Sequence, residues 1–201
     1  MKKLDYKLPG ELDVVLNSLE YEEDGGIGIR NVKLINNDLI LTVHVFSGSI
    51  DLPVQIWNIQ IVELEQHQIT INWASDFKFY SDHFLLTGYH DDHAELYCNV
   101  KSCKVDEMFT DIYRQLIELG KSTTQIAKYV YSPQHLNILC KQGYGLFARG
   151  PKSIITIYEK ALSKQGIKTN YISFKSETNK SKLLILGESY FIGQDFIFKR
   201  V

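Results

Sequence analysis

The stretch Gly143–Phe174, GYGLFARGPKSIITIYEKALSKQGIKTNYISF, restricts the possible folds more than any other part of this chain. The short run from Tyr144 to Arg149 predicts a strand, and Gly150-Pro151 stops it. Pro151 suits the first position of a helix, where its missing N–H has no partner to lose. Ile154, Ile155, Ile157, Tyr158, Ala161 and Leu162 then recur at the spacing of a half-buried helix. Lys160 and Lys164 stand near the negative end of its dipole, and Gly166 supplies the left-handed stop. Ile167 opens a new extended run, so the stretch predicts a βαβ unit.

The rest of the chain is long enough to build on that unit. Its 201 residues suffice for one large domain or two small ones with a core of their own. A hydrophobic share of 44% and a charged share of 23% are globular values and exclude disordered and fibrous classes. No apolar run approaches the length that crosses a bilayer, so no membrane partner is expected. The start, MKKLDYKLPGELD, has two lysines without an apolar stretch behind them, so no signal peptide is expected. Three cysteines, Cys98, Cys103 and Cys140, are an odd number and predict no disulfide framework, which makes a cytoplasmic location the expectation. The glycosylation sequon Asn179-Lys180-Ser181 carries no meaning in that setting.

Leu12, Val15, Leu16 and Leu19 share one helical face after Pro9-Gly10, which predicts a short N-terminal helix. The acidic, glycine-bearing segment Glu22-Glu23-Asp24-Gly25-Gly26 reads as the loop that ends it. From Ile27 to about Val100 the period changes to two. Leu39, Leu41, Val43 and Val45 alternate with Ile40, Thr42, His44 and Phe46, as do Trp57, Ile59 and Ile61 with Asn58, Gln60 and Val62, and again Ile69, Ile71 and Trp73 with Thr70 and Asn72. Further strands are predicted at Ile27–Leu34, His83–Gly88 and Ala94–Val100. Short connections such as Ile35–Asp38 imply antiparallel pairing, with Asn58, Gln60, Thr70 and Asn72 on the wet face.

Beyond Lys104 helices take over. Met108, Phe109, Ile112, Tyr113, Leu116 and Ile117 form one stripe that Gly120 ends. Ser122 with Gln125 reads as a capping box, and Ser132-Pro133 opens a further helix that Gly143 closes. Short strands follow the βαβ unit at Lys182–Leu186, Ser189–Ile192 and Phe196–Arg200. The fold class is therefore α+β: an N-terminal helix and antiparallel β-sheet, then a helical segment and a βαβ-plus-hairpin unit. The domains expected are a mainly antiparallel β subdomain over 1–104 and an α/β subdomain over 105–201.

Charge is unevenly spread along the chain. Residues 1–100 hold 6 basic and 16 acidic side chains, whereas residues 101–201 hold 16 basic and 8 acidic ones. Glu20, Glu22, Glu23 and Asp24 concentrate the negative charge and are the candidate contact for a basic partner. His83, His90 and His93, among Asp82, Asp91 and Asp92, supply ligand types for a transition metal, but no motif fixes a full ligand set. Arg149, Lys152 and Ser153, at the start of the predicted helix, are the candidate anion-binding group for a phosphate or carboxylate. Cys98 has Lys101 and Lys104 nearby, which would lower a thiol pKa, and His93 as a conceivable base.

Tyr129, Tyr131, Tyr144, Tyr171 and Phe174 mix with lysines in the manner of single-strand binders. They fall mostly on predicted core faces, and a pI near 6.3 lacks the basic footprint, so nucleic acid is disfavoured. No nucleophile elbow, HExxH, CxxC pair or Walker lysine occurs, so the reading leans away from an enzyme and names no cofactor. The expected function is a non-enzymatic, cytosolic protein-binding module, of inhibitor or immunity type, whose acidic first half docks a basic protein. The alternative is a small enzyme or ligand-binding protein using the anion site at Arg149–Ser153. A homo-oligomer remains compatible with either.

Overall fold

The computed structural model describes residues 2–3, 6–48, 53–70, 72–120, 126–176 and 180–201. Its backbone divides into two compact units, Met1–Leu86 with Lys180–Val201, and Thr87–Asn179. The division differs from the boundary expected between 104 and 105. The C-terminal strands pair with N-terminal ones, and the strand expected at Ala94–Val100 pairs with its C-terminal neighbours.

Unit 1 is built from two antiparallel sheets. The elements of the first are β1 (Lys2–Lys3), β5 (Gln66–Gln68), β6 (Phe77–Asp82), β10 (Lys182–Leu186) and β11 (Ser189–Gly193), in the order β1-β6-β10-β11-β5. The second holds β2 (Gly26–Ile35), β3 (Asp38–Phe46), β4 (Gln55–Val62) and β12 (Asp195–Arg200), in the order β12-β4-β3-β2. Alternation fixes which side chains go inside. Leu39, Leu41, Val43 and Val45 of β3 and Trp57, Ile59 and Ile61 of β4 are all buried. They join Phe79, Leu184, Leu186 and Phe191 of the other sheet in one hydrophobic cluster. A fully buried side chain such as Ile59 or Phe191 stabilises the fold by about 1.5–3 kcal/mol. Asn58 and Gln60 point the other way, where Asn58 accepts from Thr42 and Gln60 donates to Asp38.

Turn chemistry sets the register of the hairpins. Asn36 (φ 55°) and Gly187 (φ 57°) occupy the left-handed conformation that two-residue connections require. The N-terminal helix ends earlier than its stripe suggests, as α1 (Gly10–Leu16), and Leu12 and Val15 enter the core. Ser18 then caps a second helix, α2 (Leu19–Asp24), by accepting from the Tyr21 N–H at 3.2 Å. The acidic segment expected as a loop is therefore largely helical up to Asp24. The predicted strand at Ile69–Trp73 is replaced by β5, with Ile71 outside the described residues and Ala74 bridging to Ile27.

The strand predicted at His83–Gly88 is also corrected. Phe84, Leu85 and Leu86 are buried in succession, which an alternating strand cannot achieve. They form one 3-10 turn, and His83 Nδ1 accepts from the Leu85 N–H at 3.1 Å.

Unit 2 contains α3 (Thr87–His90), β7 (His93–Asn99), α4 (Val105–Gly120), a 3-10 turn at Ala127–Tyr129 and α5 (Pro133–Gln142). The predicted βαβ stretch follows as β8 (Tyr144–Pro151), α6 (Lys152–Lys164) and β9 (Lys168–Phe174). Pro151 ends β8 instead of opening the helix, and pairs with His93. β7 lies between β8 and β9 and is antiparallel to both, so the βαβ unit is split by a strand from earlier in the chain. Every residue of the α6 stripe is buried, and the helix packs on all three strands. α4 buries Met108, Ile112 and Leu116, and Lys164 bonds Asp111 between the two helices at 2.9 Å. The Ser122–Gln125 capping box lies outside the described residues.

The expectation of unbridged cysteines does not hold. Cys103 and Cys140 form a disulfide, with Cα atoms 6.5 Å apart, which ties the segment before α4 to α5. Among the described residues α5 buries only Leu136, so the bond supplements thin packing. Spacing along the chain could not reveal it, because the two are 37 residues apart. No described helix is long and apolar enough to cross a membrane.

Tyr6 ties the N-terminal segment to β12. Its ring stacks on Phe79 at 4.4 Å, and its hydroxyl donates towards Asp195 Oδ1 and the Phe196 carbonyl. Burial and the bond to Asp195 push the phenol up to about 12. Lys182, at 2.8 Å, and Tyr6 hold the Asp195 carboxyl below its ordinary value.

Two outcomes follow. Reduction of Cys103–Cys140 costs about 2–4 kcal/mol on loop-closure grounds and lowers Tm by roughly 5–15 °C, read by calorimetry with and without reductant. Thiol titration of the unfolded chain gives one group before reduction and three after it. A depressed carboxyl contributes stability that is complete above the ordinary carboxylate range and lost as pH falls through the folded value. Asp195→Asn therefore lowers Tm near neutrality, and the deficit vanishes in strong acid, as circular dichroism melts at a series of pH values would show.

Candidate functional site

The start of α6 is the place to test for an anion. Helix N-termini carry unpaired N–H groups and positive potential, so a carboxylate or phosphate is stabilised there. An anion is present, and it belongs to the chain itself. Asp91 Oδ2 accepts from the Ser153 N–H at 2.7 Å, and the Asp92 carbonyl accepts from the Lys152 N–H at 2.7 Å. Asp92 Oδ1 also accepts from the Ser176 N–H, so the Asp91-Asp92 turn links α6 to the segment after β9. Arg149 does not join this group: it lies in β8, exposed, in register with Glu95 of β7. The Lys152 side chain is exposed as well. The physical reasoning for an anion at this helix end holds, but the occupant is internal.

The histidines are divided between the two units. His83 is buried in unit 1 as the Leu85 acceptor, with its ring 5.0 Å from that of Tyr80. His90 ends α3 and His93 begins β7, both exposed, in unit 2. Among the described residues no group of three or more His, Cys, Asp or Glu side chains could hold a metal ion. Cys98 is buried on the helix-covered face of the sheet, and burial pushes its thiol up, the opposite of activation. His93 sits five residues away on the same strand, an odd spacing that places it on the opposite face.

Of the four acids singled out above, Glu20 and Glu22 have side chains outside those described. Glu23 and Asp24 are exposed at the C-terminal end of α2, where the dipole disfavours negative charge and no basic residue stands in the last turn. Among the described residues neither has an ion-pair partner. Close by in sequence, α1 presents Val14 at 71% exposure, beside an open groove of about 440 Å³. Glu11, Val15, Ser18, Gln55 and Arg200 complete that groove, and Glu11 pairs with Arg200 at its edge.

The folded units redistribute the charge read along the chain. Unit 1 holds 10 basic and 15 acidic side chains, net −5, and unit 2 holds 12 and 9, net +3. The sign of the asymmetry survives, at a smaller size, because Asp91, Asp92 and Glu95 belong to unit 2 and the basic C-terminal strands fold back into unit 1.

A further surface emerges on the uncovered face of β8-β7-β9. In register across the strands stand Tyr144, Asn99 and Lys168, and in the next row Leu146, Tyr97 and Asn170. A third row holds Arg149, Glu95 and Ile172, and Phe174 lies beyond it. Tyr144 is 76% exposed and Phe174 50%. The aromatics of this group were expected mostly on core faces. The bulge between Leu96 and Tyr97 shifts the alternation of β8, so Tyr144 and Leu146 face outward while Phe147 and Ala148 face α6. The alternation Lys168, Asn170, Ile172, Phe174 was the one available sign of this face. Tyr97 donates to Glu95 at 2.8 Å, a bond that raises its phenol pKa.

Comparison of the chain with protein-family models, with curated proteins and with solved structures finds no match in any of the three.

The Asp91 cap has a measurable value. Asp91→Ala is expected to cost about 1–2 kcal/mol by urea denaturation, and Asp91→Asn, which keeps an acceptor, to recover most of that loss.

Proposed function

We propose that this protein is a non-enzymatic binding module that docks another protein, in the manner of an inhibitor or immunity-type protein, through the acidic helical corner of unit 1. The observation that carries this reading is Val14, a large apolar side chain left exposed on α1 beside an open groove. Interfaces place apolar anchors centrally and polar groups around them. Glu23 and Asp24 add uncompensated negative charge on the adjacent helix, which speeds and orients encounter with a basic partner.

The enzyme alternative has less behind it. Its anion site at Arg149–Ser153 would have to displace Asp91 from the Ser153 N–H. The disulfide bears on location, since such bonds persist in oxidising compartments and are rare in a reducing cytosol. It counts against the cytoplasmic placement inferred from the cysteine count.

The test is capture of partners on immobilised protein at low salt, identification of what binds, and surface-binding kinetics with the purified partner. A basic protein is expected, released as NaCl rises. Glu23→Lys with Asp24→Lys should slow association by about tenfold and change dissociation less. Val14→Ala should chiefly speed dissociation. Binding that ignores ionic strength, or an acidic partner, would remove the basis for this reading.

A further inference from the structure

We infer that the uncovered face of β8-β7-β9 binds single-stranded nucleic acid, a role separate from the docking corner of unit 1. Three kinds of group stand together there. Each strand contributes one aromatic ring: Tyr144 from β8, Tyr97 from β7 and Phe174 from β9. Rings on an open surface stack on unpaired bases of any sequence, because every base has a π-face. Asn99 and Asn170 lie in register beside the tyrosines, and a side-chain amide can offer a donor and an acceptor to a base edge. Asn170 Oδ1 already accepts from the Tyr171 N–H at 3.0 Å, which leaves its NH2 as the donor. Lys168 and Arg149, on the two edge strands, have no ion-pair partner among the described residues and can meet backbone phosphates.

A groove of about 330 Å³ lies at the Tyr144–Lys168 end of the face; Tyr97, Asn99, Tyr144, Lys168, Asn170 and Ile172 are among the residues that line it, and Phe174 and Arg149 lie outside it. It is open along one side, as a strand passing over the sheet requires. Ring, amide and ammonium in one groove match base, base edge and phosphate of one nucleotide.

Two sequence-level objections lose their force once the chain is folded. The aromatics at Tyr144 and Phe174 are on the surface, not in the core. The pI near 6.3 averages a unit of net −5 with the unit of net +3 that carries this face. Among the described residues Glu95 is the one carboxylate on the face, and it accepts from Tyr97. It makes binding weaker than on a purely basic platform and favours the end of the face nearer Lys168. A duplex, whose bases are already stacked, offers nothing to the rings. A protein partner would meet Leu146, Ile172 and Phe174 as apolar anchors, but would have to desolvate the amides and the lysine that stand among them.

The experiment is fluorescence anisotropy of a labelled oligothymidine of about 12 nucleotides with the full chain at about 50 mM salt. Micromolar binding is expected, with the matching duplex bound at least tenfold more weakly. Tyr144→Ala and Phe174→Ala should each weaken binding by about fivefold or more, while Tyr144→Phe, which keeps the ring, stays close to wild type. Lys168→Ala should flatten the salt dependence by about 0.7 in log–log slope. All three side chains are exposed, and unchanged melting temperatures would show that the variants fold. No anisotropy change up to about 100 μM, at concentrations well above those of specific binding, overturns the inference. Binding that survives Tyr144→Ala combined with Phe174→Ala also overturns it. So does sedimentation showing that the same face is covered by a second copy of the chain and is lost to monomer in those variants.

Discussion

The pairing of β12 with β4, and of β10 with β6, is the constraint on which unit 1 depends. It joins residues near 60 to residues near 197, and residues near 79 to residues near 184, across the whole of unit 2 in sequence. Without β12 the four-stranded sheet would lose an outer strand, and without β10 the five-stranded sheet would be cut in two. The shared cluster draws on both ends of the chain, from Leu12 to Phe196. Closing so long a loop costs entropy before any contact repays it. Tyr6 reinforces the closure, since it stacks on Phe79 of β6 and bonds both Asp195 and Phe196.

Unit 2 is organised by a different economy. Its sheet has three strands; α6 packs on one face of it, and α4 packs in turn on α6 and α5. Tyr158, fully buried in α6, donates to the Tyr129 carbonyl and accepts from the Tyr131 N–H, which holds an irregular segment against the helix. The disulfide and the Asp91 cap act in the same sense, fastening connections that have little apolar surface of their own. Among the described residues no helix packs on the second face of that sheet, which carries rings, amides and cations.

Several charged groups of this protein are engaged within the chain. Asp91 occupies the helix start that looked available to a ligand, Glu11 pairs with Arg200, and Asp111 pairs with Lys164. The side chains left over are more informative than the totals. Glu23 and Asp24 on α2, and Arg149 and Lys168 on the edge strands, are unpaired among the described residues. They mark the two surfaces, one acidic and one basic, on which the functional proposals rest.

Local pattern alone determined the α+β class, the α6 stripe from Ile154 to Leu162, the β3 and β4 alternation, and the Ser132 cap of α5. These are properties of neighbours within one or two turns, so periodicity and capping chemistry suffice to read them. The tertiary structure decided everything that required a partner distant in the chain. It placed β7 between β8 and β9, returned β10–β12 to unit 1, joined Cys103 to Cys140 and put Asp91 at the start of α6. Alternation shows that a segment is a strand, not which strand it pairs with. A one-residue bulge at Leu96/Tyr97 was enough to turn Tyr144 outward, as the most exposed ring of an open face.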